Sequence, residues 1–93
     1  MLNKMRDIIF KIKAADGTNN LCGRRVAQIR KEKKLSQRKL AAKMQILGFD
    51  VDHYFIRRVE NGERFVTDID LVIIARALGV PIADLLKEDD LSL

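Results

Sequence analysis

A chain of 93 residues, 47% apolar and 33% charged, has room for one core, and apolar residues spaced three and four apart with no sustained alternation specify an all-α fold. One Cys and one His exclude an internal disulfide and a four-ligand zinc site; no stretch approaches the ~20 apolar residues of a membrane span, and Lys4, Arg6, Asp7 and Lys11 break any signal-peptide core, so a cytoplasmic protein is expected. The net charge of +5 is lopsided, thirteen Lys or Arg against three acids in residues 1–43 and five against ten in residues 44–93, which suits a polyanion partner, although a solvated helical face explains any single run such as Arg30-Lys31-Glu32-Lys33-Lys34.

Residues 1–18 make the first unit. Leu2, Met5, Ile8, Ile9 and Ile12 follow helical spacing, with Lys4, Arg6, Lys11 and Lys13 mostly off that stripe, and Asp16-Gly17-Thr18-Asn19-Asn20 separates the segment from the rest. An amphipathic helix on a linker is expected. Packing on its own domain is the preferred role, ahead of dimerisation, a grip on a partner protein and attachment to an anionic membrane surface, in that order.

Residues 19–88 make the second unit, read as five helices. Asn19-Asn20 is expected to cap a first helix over Leu21–Lys33 with Cys22, Val26 and Ile29 on one face, which makes Cys22 a small buried hydrophobe rather than a redox thiol. Ser36 caps a second helix to about Gln45 with Leu40, Ala41 and Met44 inward; Gly48 turns the chain and Phe49-Asp50-Val51 links onward. Asp52 caps a third helix ending at Glu60, with Ile56 and Val59 inward and Asn61-Gly62 as the stop. Thr67 and Asp70 resemble a capping box with Asp in place of Glu, opening a fourth helix with Leu71, Ile74, Ala75 and Leu78 inward and Gly79 as its end. Pro81 starts a short fifth helix with Ile82, Leu85 and Leu86 inward, before an acidic tail over residues 89–93.

Two short helices joined by a turn, with the small Ala41 inward on the first and a polar, basic outward face on the second, match the geometry that puts a helix into the major groove of DNA. At roughly 100° per residue, His53, Tyr54, Arg57 and Arg58 point away from Ile56 and Val59. They are the candidate base-reading residues. Arg57 or Arg58 can give two hydrogen bonds to guanine O6 and N7, with phosphate contact or solvent as the alternative; His53 and Tyr54 can bond a base edge, pack on a thymine methyl, or touch only the sugar-phosphate chain.

The motifs Arg24-Arg25-Val26-Ala27-Gln28-Ile29-Arg30, Leu35-Ser36-Gln37, Lys39-Leu40-Ala41, Ile56-Arg57-Arg58-Val59-Glu60-Asn61-Gly62-Glu63-Arg64 and Leu78-Gly79-Val80-Pro81 follow one another within residues 23–86. Together they make this stretch resemble the Cro and repressor, or Xre-type, helix-turn-helix regulators. The resemblance implies a five-helix lambda-repressor-like domain binding double-stranded DNA. It also implies that Gln37 binds a phosphate, that Asn61 and the loop after it bind the backbone again, and that Arg30 pairs with Glu60 inside the fold; Arg38 and Arg64 complete the phosphate candidates. One departure stands out: the stretch from Met44 to Ile56 is longer than in the shortest members of the family, so Gln45-Ile46-Leu47 is expected to lengthen the second helix and Phe49-Asp50-Val51 to form a small loop.

The expected mechanism is a homodimer on a roughly palindromic operator, acting as a repressor, with no cofactor and no metal. A second reading is a protein-interaction module, such as an antitoxin or bridging factor, docking through residues 1–18; steep salt dependence would favour DNA. An enzyme is not expected. His53 has Asp50 and Asp52 nearby, but their place at a helix start suits capping, and there is no nucleophile elbow, glycine-rich phosphate loop or metal-ligand cluster.

Overall fold

Side-chain caps set where most of the helices begin. The computed structural model describes residue 14 and residues 17–86, so the expected amphipathic stretch over residues 1–13 and the acidic tail over 89–93 lie outside the described residues. Among the described residues the elements are α1 (Gly23–Glu32), α2 (Gln37–Ile46), α3 (His53–Glu60), α4 (Asp68–Leu78) and a 3-10 turn (Ile82–Leu85), with no strand. Ser36 accepts from the Lys39 N–H to open α2, and Asp52 accepts from the Phe55 N–H to open α3. At α4 both halves of a capping box are present: Asp70 N–H donates to the Thr67 hydroxyl at 3.0 Å and Thr67 N–H donates to the Asp70 carboxylate at 3.1 Å. The shorter Asp still reaches.

α1 opens at Gly23, two residues later than expected, with Cys22 as the flanking residue and no cap from it; the cap expected from the Asn19-Asn20 pair is made by Asn20, its Oδ1 accepting the Gly23 N–H at 2.8 Å. Gly23 is required by packing, since a Cβ there would lie 2.3 Å from the carbonyl oxygen of Val59 on α3. A glycine inside a helix normally weakens it. Here it lets two backbones meet.

The four helices end alike. In each, an N–H five residues on bonds back to a carbonyl of the last turn: Leu35 to Arg30, Phe49 to Met44, Glu63 to Arg58 and Val80 to Ala75, all at 3.0 Å. This closure needs a left-handed residue just past the helix. Gly48, Gly62 and Gly79 supply it after α2, α3 and α4, whereas after α1 the residue is Lys34, at φ 57°.

The core is built from one stripe of each helix: Cys22, Val26 and Ile29; Leu40, Ala41 and Met44; Phe55, Ile56 and Val59; and Ile74, Ala75 and Leu78, closed by Leu85. α1 and α2 each pack on α3 and α4, and the 3-10 turn covers α4 and α1. Two expectations are corrected. The fifth element is a single 3-10 turn rather than an α-helix, and of Ile82, Leu85 and Leu86 only Leu85 is buried. Leu86 lies past the end of the turn, at φ −128° and ψ 53°, and both it and Ile82 stay exposed. In addition, Phe55 joins Ile56 and Val59 inside, at 5% exposure.

Candidate nucleic-acid interface

α2 and α3 are joined by residues 47–52, a connection tied to the body rather than free. Phe49 N–H bonds to the Met44 carbonyl at 3.0 Å, Gln45 Nε2 donates to the Val51 carbonyl at 2.7 Å, and Phe49 and Val51 pack against the core. α2 runs to Ile46, with Leu47 as its flanking residue, so the additional length is divided between another stretch of helix and an anchored loop. The orientation of α3 is thereby fixed from its N-terminal side.

α3 presents a two-sided helix. Phe55, Ile56 and Val59 are buried, while Tyr54, Arg57 and Arg58 are exposed and His53 is half-buried. At about 100° per residue, Tyr54 sits opposite the Ile56–Val59 direction, Arg57 and Arg58 lie on the two flanks of Tyr54, and His53 falls at the edge. The His53 and Tyr54 rings lie 4.2 Å apart at 34°, so the first turn shows one continuous aromatic surface. The four residues therefore do not share one direction: Tyr54 leads, the two guanidinium groups diverge, and His53 supports Tyr54.

The C-terminal end of α3 is tied to α1 and α2 by a buried ionic network. Arg30 Nε donates to Glu60 Oε2 at 2.6 Å and its NH2 to Glu60 Oε1 at 2.9 Å, while its NH1 donates to the Leu35 carbonyl at 2.8 Å. Gln37 Nε2 adds a bond to Glu60 Oε1 at 3.1 Å. Both side chains of the pair are about one-tenth exposed or less, at 10% and 7%. The hydrogen-bonded carboxylate beside Arg30 raises its affinity for the proton above the ordinary guanidinium value, with burial opposing it, so the charge is permanent. Removing either partner of such a buried pair typically costs about 3–5 kcal/mol, because the other charge is left unpaired.

The network also sorts the candidate phosphate ligands. Gln37, first residue of α2, is held against Glu60, and Asn61 directly follows Glu60, so these two meet at one end of α3. Arg38 follows Gln37 and is exposed. Arg64 is exposed and lays its guanidinium 4.7 Å from the centre of the Phe55 ring. That stacking explains why Phe55 can be counted as core: the flank it occupies is roofed by a side chain nine residues later, a partner that helical periodicity does not register. Sequence reasoning also read Asn20 only as a cap, although its Nδ2 reaches the Val59 and Arg64 carbonyls at 3.1 and 2.8 Å. Such bonds leave no local pattern. Among the described residues there is no group of His, Cys, Asp and Glu placed to hold a metal, and no helix long and apolar enough to cross a membrane.

The helix-turn-helix family matches residues 26–85, which include every helix named above except the first residues of α1. Two solved structures are similar. One is the restriction-modification controller protein C.AhdI from Aeromonas hydrophila, at 29% identity and TM-score 0.62, covering 70% of this chain and 91% of that one. The other is the clp gene regulator ClgR from C. glutamicum, at 25% identity and TM-score 0.64, covering 73% and 82%. A search of curated proteins gave no match.

Proposed function

The chain belongs to the helix-turn-helix family and is a DNA-binding regulator, and from that premise we propose how it binds: α3 enters the major groove of duplex DNA and reads a specific site. The observation that carries this reading is the split face of α3, with Phe55, Ile56 and Val59 inside and Tyr54, Arg57 and Arg58 outside on a helix whose two ends are both anchored. Tyr54 and the His53 beside it meet base edges with the first turn, which enters the groove most deeply. Arg57 and Arg58, on diverging flanks, address different positions; a guanine matched to either guanidinium accepts two hydrogen bonds. Gln37 and Arg38 at the start of α2, together with Asn61 and Arg64 just past α3, grip phosphates and fix the register of the helix.

Both similar structures carry regulator names, which supports control of transcription as the outcome. We place the protein in the cytoplasm, acting as a homodimer that represses by covering a promoter. We assign the DNA-binding unit to residues 19–88 and a contact with a protein partner to residues 1–18. Selection of bound sites from random duplexes is the test. Arg58→Ala is expected to relax the preference at one base pair per half-site, costing about 1–3 kcal/mol on the best site. Uniform weakening of all sites with the selected sequence unaltered would place Arg58 on a phosphate instead.

A further inference from the structure

Thr18, Asn19 and Asn20 run across the loop that follows α3 and bond to it at several points. Asn19 N–H donates to the Gly62 carbonyl at 2.8 Å and Asn19 Nδ2 to the Glu63 carbonyl at 2.9 Å. Asn20 Nδ2 donates to the Val59 and Arg64 carbonyls, and Asn20 Oδ1 accepts from Gly23. Two adjacent residues thus engage the carbonyls of residues 59, 62, 63 and 64 and tie them to the start of α1. The fit is close: a Cβ on Gly62 would stand 2.6 Å from the Thr18 side chain. Of the carbonyls so engaged, only that of Val59 lies in α3, where it also accepts the Gly62 N–H at 3.0 Å; the other three belong to the loop beyond the helix.

We propose that Asn19 and Asn20 are positioning residues for DNA binding: they hold the 61–64 loop in the shape in which Asn61 and Arg64 meet phosphates. The inference rests on the DNA-binding reading above. A loop held before contact loses little conformational freedom on binding, so the strap strengthens the phosphate grip without touching DNA. It acts on the backbone grip and leaves the choice of base to Tyr54, Arg57 and Arg58.

Two variants separate the strap from the fold. Asn19→Ala removes the bond to Glu63 and keeps the main-chain bond to Gly62. Asn20→Asp keeps an acceptor for the Gly23 N–H and loses the donor to Val59 and Arg64. In the free protein, both are expected to speed hydrogen exchange at the Glu63 and Arg64 amides, which bond to the Arg58 carbonyl at 3.0 and 3.2 Å, while amides inside α2 stay protected. On a selected duplex, Asn19→Ala is expected to weaken binding about tenfold and to flatten the slope of log affinity against log salt by about 2, as when each subunit of a dimer releases one phosphate. The preferred sequence stays the same, and Asn19→Ala costs less when added to Arg64→Ala than it costs in the wild type, because only the Asn61 contact is then left for the strap to hold. Unchanged exchange at residues 63 and 64, or faster exchange with full affinity and slope, overturns the strap while leaving DNA binding intact. An unaltered slope in Arg64→Ala defeats the phosphate assignment itself, and the strap proposal with it.

Discussion

Cys22 sits where α1 begins, 2% exposed, and its chemistry follows from that enclosure. Burial pushes the thiol up to about 11 from an ordinary 9.0, with the Asp70 charge adding to the rise and a backbone hydrogen bond opposing it. In the unfolded chain the thiol ionises first as pH rises, so unfolding releases a proton between those two values. Stability from this group is therefore complete below about pH 9 and is lost as pH climbs towards 11. Relative to Cys22→Ala, the wild-type protein is expected to lose on the order of 1 kcal/mol by pH 10, measured by urea unfolding of both proteins across the range. Parallel curves for the two would show that the thiol ionises equally well in the folded state. The inward placement of Cys22 was legible from its spacing to Val26 and Ile29; the rise in its proton affinity was not, because burial depth depends on elements far along the chain.

At the scale of elements, local chemistry was legible wherever cause and effect lie within one helical turn. Ser36, Asp52 and the Thr67–Asp70 pair could be read as caps because each acts on an N–H three residues away. The strap could not, since Asn19 and Asn20 bond to residues 39 to 44 positions later. The last element failed for a different reason: Ile82, Leu85 and Leu86 fit both helix types, and only packing on α1 and α4 selects a 3-10 turn with Leu85 alone inside. Lys34 is another case, an exposed lysine in the left-handed region where the other three helices use glycine. A side chain there costs about 1–2 kcal/mol in backbone strain, and glycine gives part of that back as unfolded-state freedom. Lys34→Gly is therefore expected to stabilise the fold by about 0.5–1 kcal/mol in denaturant unfolding, against the usual direction for glycine. A loss of stability would mean that Lys34 makes a compensating contact.

For the whole molecule, the question is how many copies of α3 address one site. A helix of eight residues spans about 12 Å, enough for only a few base pairs, so one copy offers little discrimination against the many competing sites of a genome. Two copies related by a twofold axis read two half-sites separated by about one turn of DNA, and the operator inherits that symmetry. The basic residues assigned to phosphates give a way to count copies without solving a complex. Each phosphate neutralised contributes about 0.9 to the slope of log affinity against log salt. Removing Arg38 and Arg64 together should flatten that slope by about 3.6 if two chains occupy the operator and by about 1.8 if one does. The base-reading face is left whole in this variant, so the selected sequence should stay the same while affinity falls at every salt concentration. A change of about 1.8, together with a scattering mass of one chain on a single half-site, would make the protein a monomeric reader and remove the reason for expecting a palindrome.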